Sequence, residues 1–297
     1  MKRRQLIWYL LLFSFGCTTG VNTPQTRINK ATTITPKTLK FAVTDISGIA
    51  ELQREFGAFK QALEKVLDIS IEFFPVDNYT AAVPAMLSGK IDIAFAGPSE
   101  YLILKSRAKV VPIIGIERPN YHSIIIVKAN SQITSLSQLK GKKIAMFSVG
   151  STSGHIVPTK LLIDAGLDPK TDIQILMLKE KGAKALQDNQ VDAWAIASDK
   201  YENILQQENL DKQNFSIIAT SPLLPSDLFV ASNQLAGDFI ESIKSRMLQN
   251  QDKLMQSLLI AKANDKYKGG KFINVNDQDY SVIEEVYEKI GQSEFLK

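Results

Sequence analysis

From residue 39 onward, short β-rich runs alternate with longer stretches whose apolar residues recur at helical spacing. This alternation leaves few architectures open. A strand, a helix and a second strand in succession bring two strands side by side and pointing the same way, so repetition builds a largely parallel sheet with helices on its faces. LKFAVTDI (39–46) opens with a strand, and residues 50–66 carry Leu52, Phe56, Phe59, Leu63 and Val66 on one helical face. ISIEFFPV alternates with period two, and a helix then runs from about Tyr79 to Ser88 and stops at Gly89. IDIAFAG (91–97) reads as a buried strand, Ser99 to Lys105 as helix, and VVPIIGI and HSIIIVK as the strands that complete a first set.

A second unit opens at Asn130-Ser131 with a short helix, a glycine turn and a strand from Lys143 to Phe147. A loop and helix lead to a strand at 173–178, a helix at 183–187 and the strand VDAWAIA, with SIIATS (216–221) as one more. From Leu228 the pattern becomes largely helical, over 238–262 and again over 281–290. Two α/β units with a helical close predict two lobes around a cleft, and in open α/β sheets ligands bind beyond the carboxyl ends of the strands. The expected boundaries are 39–129 with 225–297 for lobe 1 and 130–224 for lobe 2. No internal repeat stands out.

Ahead of residue 39 the chain reads as an address. Lys2, Arg3 and Arg4 precede an apolar stretch from Leu6 to Phe15, broken only by Ser14. That is about half of the ~20 apolar residues a membrane-spanning helix needs, so residues 1–16 fit a signal peptide. The single cysteine, Cys17, follows Gly16 and has no partner for an internal disulfide. Its position resembles a bacterial lipoprotein cleavage site, with Cys17 as the acylated N-terminus. Ser14-Phe15-Gly16 departs from the usual Leu-small-small pattern, which leaves cleavage elsewhere or a free thiol as the other readings. Residues 17–38, rich in Thr, Asn and Pro, are expected to tether the folded body to the membrane. The implied location is the periplasm or cell surface, with the protein anchored as a lipoprotein.

Three of the 35 basic residues precede Cys17 and no acid does, which leaves 32 basic against 31 acidic groups. A body so near neutrality speaks against nucleic acid as a partner. It carries no HExxH, CxxC or G-x-S-x-G motif, and its two histidines, His122 and His155, fall in different lobes. The expectation is binding without turnover: no enzyme, no catalytic residue, no metal and no cofactor.

The segment VGSTSGHIVP (149–158) follows a strand and leads into a helix. Ser151, Thr152 and Ser153 place three hydroxyls where a helix start presents unpaired N–H groups and the positive end of its dipole. That combination cradles an anion with several oxygens, although Ser and Thr also favour this position for capping alone. Pro158 is compatible with a first helical turn, where the missing N–H costs little.

STSGHIVP resembles the ligand-binding signature of the phosphonate/phosphite/phosphate-binding proteins of ABC importers, the PhnD-like group of type II periplasmic binding proteins. The resemblance continues in NYTAAVPAMLSGKIDIAFAGPSEYL (78–102), YHSIIIVKANSQITSLSQLKGKKIA (121–145), QVDAWAIASDKYENIL and SPLLPSDLFV, and covers roughly residues 40–235. It implies a two-lobed "Venus flytrap" fold with its ligand cleft between the lobes, and a small phosphorus oxyanion as ligand. The partner it implies is an ABC transporter permease, with a periplasmic sensor module of the same fold as the alternative. It further implies Tyr79 and Tyr101 as first-lobe walls of the cleft, with Ser151, Thr152 and Ser153 as the second-lobe cradle and His155 just past it. Lys179 and Glu180 stand where many members have a His and an acid. Asp227 matches an acid near a crossover between lobes, and Asp199 lies just past a strand; either contacts ligand or caps a turn, with Asp227 preferred. Trp194 and Ala197 replace a small and a polar residue. Asp92, inside an apolar strand, is expected to be structural. One bilobed unit accounts for the body, so a monomer is expected.

Overall fold

The computed structural model describes residues 35–77 and 81–297. The expected signal peptide, Cys17, most of the tether and Tyr79 lie outside the described residues.

The chain runs through β1 (Thr38–Val43), α1 (Ile49–Leu67), β2 (Ser70–Phe73), α2 (Ala82–Leu87), β3 (Ile93–Ala96), α3 (Pro98–Ala108), β4 (Val111–Ile116) and β5 (Ser123–Lys128). It continues with β6 (Lys143–Met146), α4 (Val157–Asp164), β7 (Gln174–Met177), α5 (Gly182–Gln187), β8 (Ala193–Ala197), α6 (Ser198–Gln207) and β9 (Phe215–Thr220). The last elements are β10 (Asp227–Ala231), α7 (Gly237–Gln249), α8 (Gln251–Leu258), β11 (Phe272–Ile273) and α9 (Ser281–Lys289).

Among the described residues these strands form two sheets, ordered β11-β4-β10-β3-β1-β2 and β7-β6-β8-β5-β9. Each has a parallel core, β2-β1-β3 in one and β7-β6-β8 in the other. Each also receives a strand antiparallel to that core just after the chain has crossed between sheets: β10 beside β3, and β5 beside β8.

The expected lobe boundary at 129/130 is therefore corrected. HSIIIVK pairs with β8 from Ser123↔Ala197 to Val127↔Ala193, and with β9 on its other side, so it belongs to the second sheet. A strand buried on both faces reads as a plain apolar run whichever sheet receives it, and only long-range pairing decides. The crossings fall at 117–122 and 221–226. They are joined by hydrogen bonds, Leu224 N to Tyr121 O at 2.8 Å and Ser221 N to Ser123 O at 2.8 Å. The return also opens with a strand, β10, where the pattern read as helical.

An internal repeat emerges in three dimensions. In the first lobe α2 ends in a left-handed turn at Gly89 (φ 69°), and Asp92 accepts from Lys40 N at 2.8 Å. In the second α5 ends at Asn189 (φ 58°), and Asp192 accepts from Lys143 N at 2.9 Å. Both turns lead through a buried strand, β3 or β8, directly into a helix, α3 or α6. Glu100 and Lys200 thus occupy equivalent places, each the third residue of its helix.

The first sheet is covered on one face by α1, whose Leu52, Phe56, Phe59 and Leu63 are buried against Phe41, Phe95 and Phe229. Phe95 and Phe229 stack with centroids 4.4 Å apart. On the opposite face, α9 packs against α3 of the first lobe and α4 of the second. The second sheet buries Trp194 on one side and Leu139 and Leu162 on the other.

Candidate functional site

The turn after β6 is built by its own backbone. Ser151 Oγ accepts from Gly154 N at 3.3 Å, and Ser151 O accepts from both His155 N and Ile156 N at 3.0 and 2.9 Å. The longer of these spans five residues, so 152–156 forms one wide turn before α4, with Pro158 in the first turn of that helix. The N–H groups of Thr152 and Ser153 lead the segment, where no intrahelical acceptor exists. His155 Nδ1 accepts from Gly150 N at 3.1 Å, and burial holds the imidazole down at about 4, so the ring is neutral near pH 7. His155 shapes the cradle from behind.

Ser151, Thr152, Ser153 and Gly154 line a small cavity of about 40 Å³ between the lobes. Around it stand Arg118, Lys200 and Lys266, together with Asp45, Glu100, Tyr121, Asp227 and Tyr267. The lobes meet at its rim: Ser99 N donates to Thr152 Oγ1 at 3.0 Å, and Ser99 Oγ reaches Gly150 O at 2.7 Å.

The charged groups form a chain across both crossings. Arg118, on the outward crossing, donates to both oxygens of Asp199 at 2.8 Å and to those of Asp227 at 3.1 and 3.2 Å. Its guanidinium lies 3.3 Å from the centroid of the Tyr121 ring. Burial works against its charge, but Asp199 and then Asp227 hold its proton well above the ordinary range. Tyr267 donates to Asp227 Oδ2 at 2.6 Å. The lysines are held more loosely. Lys266 Nζ lies 3.4 Å from Asp45 and 3.7 Å from Asp227, and Lys200 Nζ lies 3.9 Å from Asp45. Enclosure raises the Asp45 carboxyl, yet Lys266 and Lys200 more than offset this and hold it at about 2. Three cations thus balance three aspartates, and ammonium groups held this far from their partners can turn toward an incoming anion.

The expected residues divide accordingly. Ser151, Thr152, Ser153 and Asp227 come together at the cavity, Asp227 with its oxygens already engaged by Arg118 and Tyr267. Tyr101 does not. Successive residues of an α-helix point about 100° apart, so with Glu100 of α3 facing the cavity Tyr101 turns away, donates to Asp277 and packs edge-on against Tyr280 with centroids 4.8 Å apart. Lys179 and Glu180 are exposed and line a surface groove outside the cavity. Their three-charge run is a solvated turn. Trp194 is wholly buried in the second lobe against Gly182, where an added Cβ would lie 2.4 Å from the indole. Asp92 and His122 are structural, His122 Nδ1 lying 2.8 Å from Ser221 O.

Sequence reasoning missed Arg118, Lys200, Lys266, Asp45, Glu100, Tyr121 and Tyr267. The first three are single cations at separate points of the chain and look like surface charge. Glu100 and Lys200 had one usable signal, the matching strand-to-helix junctions of the two lobes.

Comparison with known proteins assigns this architecture. The profile of the periplasmic substrate-binding proteins of phosphonate ABC transporters matches residues 41–280. A phosphate-import protein of Mycolicibacterium smegmatis is 25% identical, with 72% of each chain covered. A probable phosphite-binding protein of an ABC transporter in Prochlorococcus marinus is 25% identical, over 86% of this chain and 91% of the relative. The crystal structure of a Prochlorococcus marinus protein in complex with methylphosphonate superposes with a TM-score of 0.73 at 23% identity, covering 87% of this chain and 100% of the other. A fold of two linked sheets, a cavity between them and a profile that spans both lobes lead to one assignment: the chain belongs to the phosphonate family of periplasmic substrate-binding proteins of ABC transporters.

Proposed function

We propose that this protein captures a small phosphorus oxyanion (phosphate, phosphite or methylphosphonate) in the cavity between its lobes and presents it to the permease of an ABC importer. The observation that carries this reading is a cradle of three consecutive hydroxyl residues, Ser151–Ser153, sharing one small cavity with Arg118, Lys200 and Lys266. Three or four charge-assisted hydrogen bonds of about 1.5–3 kcal/mol each, less the cost of association, are enough for micromolar binding at about −8 kcal/mol. The two crossings serve as the hinge on which the lobes close over the anion. Among the relatives named above are a phosphate-import protein, a probable phosphite-binding protein of an ABC transporter and a protein crystallised with methylphosphonate, which favours transport as the reading.

Within that class the cavity favours anions without an ammonium group. Asp199 and Asp227 already face the guanidinium of Arg118, and Asp45 faces two lysines. Of the cavity's acids only Glu100 lacks a cation, and burial pushes it toward its neutral form, so an aminoalkylphosphonate finds no fully ionised free carboxylate for its amine. Calorimetric titration is expected to give micromolar or tighter binding of at least one of the three small anions, and binding at least about tenfold weaker for 2-aminoethylphosphonate. Tighter binding of the aminoalkyl ligand, or no binding of any phosphorus anion, would overturn the reading. Binding without turnover, a monomeric state and an acyl anchor at Cys17 belong to the same proposal. A mature N-terminus that is unblocked and starts elsewhere than Cys17 would remove the anchor.

A further inference from the structure

Glu100 is the acid of the cavity that no cation holds. Its carboxylate is buried, lines the cavity beside the cradle, and is contacted by hydroxyls. The local geometry favours a proton on it. Ser99 Oγ lies 2.7 Å from Gly150 O, which can only accept, and also 2.7 Å from Glu100 Oε2. One hydroxyl proton cannot fully serve both contacts, and they are satisfied together when Glu100 carries a proton of its own. Gly97 makes room for this arrangement, since a Cβ there would stand 2.9 Å from Glu100 Oε2.

The groups facing Glu100 come from every element around it: Ser99 on its own helix, Thr152 in the cradle, Asp45 after β1, Asp227 at the start of β10, Tyr121 on the crossing and Tyr287 on α9. Arg118, Lys200 and Lys266 line the same cavity, but none pairs with it among the described residues. Burial, opposed by the Ser99 contact and the residue's own N–H and reinforced by Asp45 and Asp227, raises its titration to about 7. In the equivalent place on the second lobe stands Lys200. The cavity therefore meets its ligand with an ammonium group from one lobe and a titrating acid from the other.

We propose that Glu100 shares a single proton with the bound oxyanion, and so gives the cavity a preference for an oxyanion that brings a proton of its own, phosphate above sulfate or an alkanesulfonate. Ionised, Glu100 accepts from a P–O–H; protonated, it donates to a bare oxygen. Phosphate keeps one P–O–H in weakly alkaline solution. Methylphosphonate and phosphite as dianions, and sulfate, carry none, so for them the shared proton is taken from solvent. This inference rests on the phosphorus-oxyanion reading and names what that site selects.

Calorimetry of the full-length protein in two buffers of different ionisation enthalpy counts the protons. At about pH 8.5, above the titration of Glu100, binding of phosphate is expected to take up none, and binding of methylphosphonate or phosphite about one. Sulfate affinity is expected to fall about tenfold per pH unit in the same range, and phosphate affinity to change far less. Glu100→Gln should abolish the uptake and flatten the sulfate slope. The wild-type proton count needs no variant, so it stands even if Glu100→Gln folds poorly. A Glu100 that merely caps α3 would give no proton uptake with methylphosphonate and equal pH slopes for phosphate and sulfate, which overturns the inference while leaving the anion site intact. If no phosphorus anion binds the wild-type protein, the site reading itself fails and the inference with it.

Discussion

Replacing Arg118 by methionine is expected to cost about 3–5 kcal/mol of folding stability, measured by denaturant unfolding. The size follows from what is left behind. The side chains of Arg118, Asp199 and Asp227 are 4%, 7% and 7% exposed, so water cannot replace the lost guanidinium. Two carboxylates would remain enclosed, Asp199 with no other ion-pair partner among the described residues and Asp227 with only Tyr267 and the more distant Lys266. Breaking a buried pair from one side is costly because the surviving charge stays desolvated, whereas replacing the whole set with neutral groups of similar shape is often nearly free. Arg118→Met combined with Asp199→Asn and Asp227→Asn is therefore expected to recover most of the loss. A cost below about 1 kcal/mol for Arg118→Met alone would mean that solvent reaches the crossing and that the ion chain does not tie the lobes together.

The largest expected effect on binding is at Gly154. An alanine Cβ there would stand 2.4 Å from Phe147 Cβ and 3.1 Å from Ser151 Oγ. The backbone cannot simply give way, because Gly154 O accepts from Phe147 N at 2.9 Å and Gly154 N donates to Ser151 Oγ. The turn must shift as a whole, and with it the cradle residues Ser151–Ser153 that line the cavity. Losing two charge-assisted hydrogen bonds at about 1.5 kcal/mol each corresponds to roughly a hundredfold weaker binding. Overpacking adds about 1–3 kcal/mol of destabilisation, small enough for the protein to stay folded. Gly237→Ala is the control, since an added Cβ at Gly237 meets open space. Titration of both variants checks the point. Equal affinities would mean that the cradle does not hold the ligand.

The alternation of strand and helix was legible in the sequence because it depends on local periodicity, and α1 buries the apolar face expected of it. The assignment of β5 was not, since the same apolar run would suit either sheet and its partners lie more than sixty residues away in β8 and β9. The repeat was hidden for a related reason. Gly89-Lys90-Ile91-Asp92 and Asn189-Gln190-Val191-Asp192 share only the aspartate as an identical residue; what recurs is a left-handed turn and a carboxylate that accepts from a neighbouring strand. At the site, Ser151–Gly154 stood out because the cradle is contiguous. Arg118, Lys200 and Lys266 converge only after both crossings have formed. Tyr101 shows the limit of naming a side chain without its helical phase, because a neighbour one residue away, Glu100, faces the cavity in its place.

The central claim is that a phosphorus oxyanion is held by the Ser151–Gly154 cradle and the cations that line the same cavity, and a crystal structure grown with whichever of phosphate, phosphite or methylphosphonate binds most tightly tests it directly. The expected result is a tetrahedral anion in the cavity between the lobes, its oxygens about 2.7–3.2 Å from donors of Ser151, Thr152 and Ser153 and within reach of Lys200 or Lys266. An anion seated elsewhere, such as the surface groove that carries Lys179 and Glu180, would contradict it.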